Sequence, residues 1–220
     1  MPLKVLTHDL YGHSTPKVAR DLLGKLLVRT LGRRRIVGRI VETEAYPAKG
    51  DPACHAARGK SKSNAAMFGP PGRAYVYPIH SRHCFNVVTE ADGIGAAVLI
   101  RAVEPLEGID LMQKHRQREK PLELARGPAR LCEAFAIDRQ LDHWNLATGR
   151  QLWLADNGTA FADHNVCSSP RIGVTSANEL HLRYFRADCP YVSGPQWLNR
   201  NKTLDVIKPS RVKIGCGGQI

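Results

Sequence analysis

The sequence predicts a mixed α/β protein built as a single domain. Its 220 residues match the size of one domain and suffice to bury a sizeable core. Short runs of β-branched and apolar residues, bounded by glycine and proline, recur along the chain and read as strands. Between them lie stretches with apolar residues at helical spacing. This pattern permits a sheet flanked by helices but does not order the strands.

Residues 6–24 read as an opening helix. Ser14 or Thr15 can cap it, Pro16 sits in its first turn, Val18, Leu22 and Leu23 give it an apolar side, and Gly24 stops it. Residues 25–31 and 36–43 read as two strands around the basic turn Gly32-Arg33-Arg34-Arg35, whose arginines suit phosphate or solvent equally. The second strand leads into Glu42 and Glu44, one residue apart and so on the same side. Pro47, Gly50 and Pro52 require that strand to end near Tyr46. Two carboxylates there are either solvated or placed for acid–base chemistry, and residues 39–46 alone do not decide between these.

Residues 47–71 form a long loop without periodicity, carrying Lys49, His55, Arg58, Lys60 and Lys62; loops of this length in compact domains are usually functional or disordered. Residues 73–79 and 83–89 read as a hairpin with its tip at 78–82, and 96–103 as another strand. Residues 105–118 fit a helix through Leu106, Ile109 and Met112. Residues 126–137 fit a second, with Pro128 in its first turn and Leu131, Ala134 and Phe135 inward. Short strands follow at 151–154, 172–175 and 181–185. The division expected is a domain over 1–198 and a basic tail over 199–220 with Arg200, Lys202, Lys208, Arg211 and Lys213. That tail either adds non-specific affinity for nucleic acid or is a frayed terminus.

The net charge of +12 and pI near 9.7 imply a polyanionic partner, nucleic acid before acidic membrane. No two of the six cysteines stand closer than 22 residues, which excludes zinc ribbons, redox pairs and iron–sulfur spacing; most are expected reduced, and several buried. No stretch approaches the roughly 18 apolar residues of a membrane span, and the N-terminus lacks a signal-peptide core. A soluble intracellular protein is expected, in bacterial cytoplasm or a nucleus. His80, His83 and Cys84 lie close in sequence without a supporting carboxylate, so no metal site is expected. No phosphate-binding glycine loop is present, and no cofactor is implied.

Five segments in order carry a resemblance: Arg39 to Tyr46; Met67-Phe68, Gly72, Tyr75-Val76-Tyr77 and Asn86 to Thr89; Val98 to Gly108; Gly127-Pro128-Ala129-Arg130-Leu131-Cys132; and Arg171-Ile172-Gly173-Val174. Together they resemble the alkyladenine (3-methyladenine) DNA glycosylase family over roughly residues 6–193. The resemblance implies a curved, mostly antiparallel sheet flanked by helices, with a protruding hairpin over 75–86. It implies a monofunctional glycosylase that flips alkylated or deaminated purines out of double-stranded DNA and hydrolyses the N-glycosidic bond, acting as a monomer without membrane attachment. A non-catalytic binder of damaged or distorted nucleic acid is the alternative.

By family position, Glu44 is the base that activates water, with Glu42 as its rival on the same face. Arg101 and the backbone carbonyl of Ile172 help hold that water. Tyr46, His55 and Tyr77 form the pocket that stacks the base, backbone groups around Ala53 and His55 read its edge, and Asn86 bars the 2-amino group of normal guanine. Two departures stand out. The wedge expected at the hairpin tip is His80 rather than the usual tyrosine, in a segment one residue short. Lys62 stands near Asn64 where the family commonly has arginine before the asparagine, and is assigned to the DNA backbone. Arg130, at a helix start, suits a phosphate or solvent.

Overall fold

The computed structural model describes residues 3–158, 161, 165–200 and 203–204. One antiparallel sheet of ten strands organises them. The long path runs β1 (Lys4–Val5), β7 (Leu152–Asp156), β2 (Leu26–Leu31), β3 (Arg34–Tyr46), β6 (Ala97–Glu107), β5 (Arg82–Val88) and β4 (Ala74–Ile79). A second path leaves β3 through β9 (Arg183–Arg186) to β8 (Val166–Ser169) and β10 (Thr203–Leu204). The sheet curls, and five helices attend it: α1 (His8–Tyr11), α2 (Thr15–Asp21), α3 (Ile109–Arg116), α4 (Pro128–Ala134) and α5 (Gln196–Arg200).

Strand β3 is the axis. Its first half pairs with β2, from Leu31↔Arg34 to Leu26↔Arg39; at Glu42 to Glu44 that edge is taken over by β9. Along the other edge lies β6, whose register jumps three times, first from Val37↔Glu107 to Gly38↔Pro105 and then twice around the glutamates. Pairing steps from Ile40↔Val103 to Glu42↔Ala102, skipping Val41, and then to Thr43↔Ile100, skipping Arg101. Bulges of this kind re-aim a side chain and often border functional sites. Thr43 faces away from the two glutamates, and its hydroxyl donates to the Ala19 carbonyl of α2 at 2.8 Å. The main core lies there, with Val18, Leu22, Ala45, Ile100 and Phe135.

Several elements differ from the sequence expectation. The opening helix is two helices broken at 12–14, and neither Ser14 nor Thr15 caps the second with its side chain. Instead Glu90, 75 residues away, accepts from the Thr15 amide at 3.3 Å and hydroxyl at 2.5 Å. The helix expected from 105 begins only at Ile109, because pairing with β3 carries β6 to Val37↔Glu107. Gly108, at φ +70°, then turns the chain where a Cβ would lie 2.5 Å from the Arg35 carbonyl oxygen. Residues 172–175 are not a strand; Gly173 has φ +78°, and the strand in that region is the earlier β8, which shows no alternation.

The hairpin of β4 and β5 closes in a two-residue turn, His80-Ser81, with His80 at φ +53°. Side chains from Pro78 to Arg82 are exposed. The basic turn at 32–35 is tied to the protein itself, Arg34 to Asp110 at 2.6 Å and Arg35 to Glu107 at 2.7 Å. The five described cysteines are free, four of them buried. The expected division at 198/199 falls inside α5, and most of the tail lies outside the described residues.

Candidate active site

Alternation along β3 places Glu42 and Glu44 on one face, and both are 0% exposed. They are not solvated strand-end residues. An ionised carboxylate so deep requires compensating donors. Each receives three. Glu42 accepts from Arg101 Nε at 3.3 Å, Arg183 Nε at 2.6 Å and the Ser193 amide at 2.7 Å. Glu44 accepts from Arg101 Nη1 at 3.1 Å, the Tyr46 hydroxyl at 2.9 Å and the Ile172 amide at 2.8 Å. The bulge that leaves Arg101 unpaired in the ladder lets one guanidinium bridge both.

Burial alone would push the Glu42 carboxyl upward, but the charges of Arg101 and Arg183 and the Ser193 N–H outweigh it and hold the group below its ordinary range. Burial works against the Arg101 charge too, and Glu44 and Glu42 overcome it, so Arg101 stays protonated. Burial, reinforced by Glu44, raises the Tyr46 phenol and keeps it a proton donor.

In front of Glu44 lies a cavity of about 780 Å³. Its wall includes Tyr46, Arg101 and Ile172, the three residues that donate to Glu44, so the carboxylate stands one hydrogen bond behind the surface. His55 and Tyr77 form an aromatic side, ring centres 4.6 Å apart and nearly perpendicular. The His55 Nδ1 meets the Tyr75 hydroxyl at 2.9 Å, and burial lowers its pKa below the ordinary 6.5. The ring is therefore neutral at pH 7. Asn86 and Ala53 complete this part of the wall. The Asn86 amide donates across the hairpin to the Tyr75 carbonyl at 3.1 Å, and the Ala53 amide is taken by Asp51 at 3.1 Å.

Seven of the residues singled out from the sequence thus line one cavity, Tyr46, Ala53, His55, Tyr77, Asn86, Arg101 and Ile172, and an eighth, Glu44, stands directly behind its wall. Three others lie outside it. His80 is exposed at the hairpin tip, while its neighbours Pro78 and Ile79 line the cavity. Ile79 is 41% exposed, an apolar side chain held out to solvent beside His80. Arg130 is exposed on an adjoining cleft of about 530 Å³, shared with Arg82 and Arg126. Lys62 is exposed on the 47–71 loop. Among the described residues, no three His, Cys, Asp or Glu side chains converge as metal ligands.

Sequence reasoning missed two buried arginines. Arg183 is 0% exposed and holds Glu42, Ser169, Ser193 and Asn199. A charge inside the apolar run Leu182-Arg183-Tyr184-Phe185 was its only signal. Arg171 grips Asp51 at 2.5 and 2.6 Å and the Ala45 carbonyl at 3.0 Å, and lies 4.5 Å from the centre of the Tyr46 ring. It fastens the 47–71 loop behind the pocket.

The family model described as methylpurine-DNA glycosylase matches residues 9–190. A protein of Carboxydothermus hydrogenoformans is 44% identical over 190 residues, 86% of this chain and 98% of its own length. One of Methanocella arvoryzae is 47% identical over 186 residues, 84% and 92% of the two chains. One of Methanoculleus marisnigri is 46% identical over 187 residues, 83% and 95%. All three carry the provisional name 3-methyladenine DNA glycosylase.

Proposed function

The chain belongs to the methylpurine-DNA glycosylase family, and we propose that it is a monofunctional DNA glycosylase of base excision repair, removing alkylated or deaminated purines flipped out of duplex DNA. One observation carries this: a buried carboxylate, Glu44, bonded to three residues that all line an aromatic-walled cavity.

Chemistry on a stacked base requires its extrusion, at a cost of roughly a few kcal/mol. Tyr46, His55 and Tyr77 then stack it; for a cationic alkylpurine each aromatic contact contributes roughly 0.5–2 kcal/mol. Asn86 turns normal guanine away at its 2-amino group. Glu44 takes a proton from a water held with Arg101 and the Ile172 carbonyl, as the water oxygen bonds to C1′ and the C1′–N bond gives its electron pair to the purine. A cationic base leaves neutral; a neutral one leaves as an anion and is protonated afterwards. The carboxylate also opposes the positive charge developing on the sugar. No lysine lines the cavity among the described residues, and the reaction is hydrolysis without strand cleavage.

His80, with Ile79 beside it, fills the gap left in the duplex, and the ring of Pro78 stiffens the tip. Arg130 and Lys62 meet phosphates, in keeping with the +12 charge. The protein works as a monomer on double-stranded DNA. A place with the cytoplasmic nucleoid is supported by its prokaryotic relatives; among the described residues no helix is long and apolar enough to cross a membrane.

The test is single-turnover base release from duplexes carrying one hypoxanthine, one ethenoadenine or methylated purines, for the native chain and Glu44→Gln. Release that collapses in the variant while lesion binding persists supports the proposal. Equal release in both moves the base to Glu42. Tight lesion binding with no release from either form points instead to a non-catalytic damage binder.

A further inference from the structure

We infer that Tyr46 serves the reaction through its hydroxyl as well as its ring: with Arg101 it fills Oε2 of Glu44 and leaves Oε1 as the atom that takes the proton of water. This rests on the glycosylase proposal above. A carboxylate offers about four lone-pair positions, two on each oxygen. On Glu44, Oε2 accepts from both the Tyr46 hydroxyl at 2.9 Å and Arg101 Nη1 at 3.1 Å, whereas Oε1 accepts only the Ile172 amide at 2.8 Å. The remaining position is on Oε1, beside the residue whose carbonyl is assigned to the same water. In the step, an O–H bond of water breaks, its proton passes to Oε1, and its oxygen bonds to C1′ as the purine departs with the C1′–N pair.

The Tyr46 ring is fixed well enough for this. Arg171 lies 4.5 Å from its centre and is held by Asp51 and the Ala45 carbonyl. Arg171 is 4% exposed and does not line the cavity, so it steadies the ring without competing for a base. The phenol, buried beside Glu44, stays protonated. Tyr46 is in this sense a positioning residue for Glu44. Losing its hydroxyl opens a second lone pair on Oε2, where a water stands misplaced for C1′.

Tyr46→Phe separates the two roles, since phenylalanine keeps the ring and the Arg171 contact. Single-turnover release of hypoxanthine at rising enzyme concentration gives a limiting rate and a half-saturating concentration. The expected result is a limiting rate lower by about tenfold, the scale of one hydrogen bond to a charged group, with half-saturation unchanged within about twofold. An unchanged limiting rate, or a rise in half-saturation alone, overturns the inference. In a Glu44→Gln background the same substitution is expected to cost less than about twofold, because the hydroxyl acts through Glu44. A further loss of about tenfold there assigns the hydroxyl to folding or base contact and also overturns it. Native protein that releases no base overturns the glycosylase proposal itself, an outcome distinct from these.

Discussion

Glu42 and Glu44 are the same residue on the same face of the same strand, both fully buried. Each accepts from one guanidinium nitrogen of Arg101, one backbone amide and one further side chain. Their difference lies beyond the donors. The partners of Glu44 all line the cavity of about 780 Å³, while Arg183 and Ser193, which complete the shell of Glu42, are absent from its wall. Burial and hydrogen bonding alone therefore do not tell the two carboxylates apart. What sets Glu44 apart, and supports its proposed catalytic role, is that its shell is also the wall of the cavity.

The widest separation expected between the two glutamates is in their amide variants. Glu44→Gln should lower single-turnover base release by roughly 10²–10⁴-fold, the range of a lost general base, with little change in unfolding midpoint. With its oxygen in the Oε2 position the new amide still accepts from Arg101 and the Tyr46 hydroxyl, its NH₂ opposes one donor, the Ile172 amide, and Arg101 keeps Glu42 as a counter-charge. Glu42→Gln should do the reverse in emphasis. It places an NH₂ among donors and strips two buried guanidinium groups of a counter-charge, at a cost of about 3–5 kcal/mol in urea unfolding. Equal stability losses in the two variants would dissolve the distinction.

Only one side of this comparison was legible in the sequence. The Glu-x-Glu spacing and the residues after it placed Glu44, Tyr46, His55 and Tyr77 around one pocket because their relations are local or follow from the resemblance. The shell of Glu42 is assembled from β9 and the segment before α5, about 140 to 150 residues away, and nothing local announces such a partner. The bulge that aims Arg101 is likewise a property of two strands together, since skipping one residue in β6 has meaning only against the register of β3. Glu90 capping α2 and the delayed start of α3 were missed for the same reason: a long-range partner overrode a local pattern. Strand β8 was missed because its four buried residues, Val166 to Ser169, are half polar and do not alternate.

A smaller effect sharpens the structural side. Arg183 uses Nε, Nη1 and Nη2 on four acceptors, with distances of 2.6 to 3.0 Å. Lysine keeps the charge but cannot fork, so Arg183→Lys should preserve the pairing with Glu42 while stranding acceptors on Ser193 and Asn199. A loss of about 1–3 kcal/mol is expected, with base release per folded molecule retained within a fewfold. A rate loss matching Glu44→Gln without a stability loss would move Arg183 into the chemistry.

The smallest effect is one of pH. Arg101, Arg183 and the Ser193 amide hold Glu42 below its ordinary value of 4.5 in the folded protein, against the opposing push of burial. Below about pH 4.5 the unfolded chain therefore binds the proton more readily than the native one. The stability supplied by ionised Glu42 is complete above that pH and is lost as pH falls toward the depressed native value. Glutamine at 42 has no such proton to take up. The stability gap between native protein and Glu42→Gln should thus be widest near neutral pH and narrow as acid is added, read from urea unfolding at about pH 7 and about pH 3.5. A gap of constant size would mean that Glu42 holds its partners by shape and hydrogen bonding, with charge contributing nothing, and would leave its depressed ionisation without an energetic role.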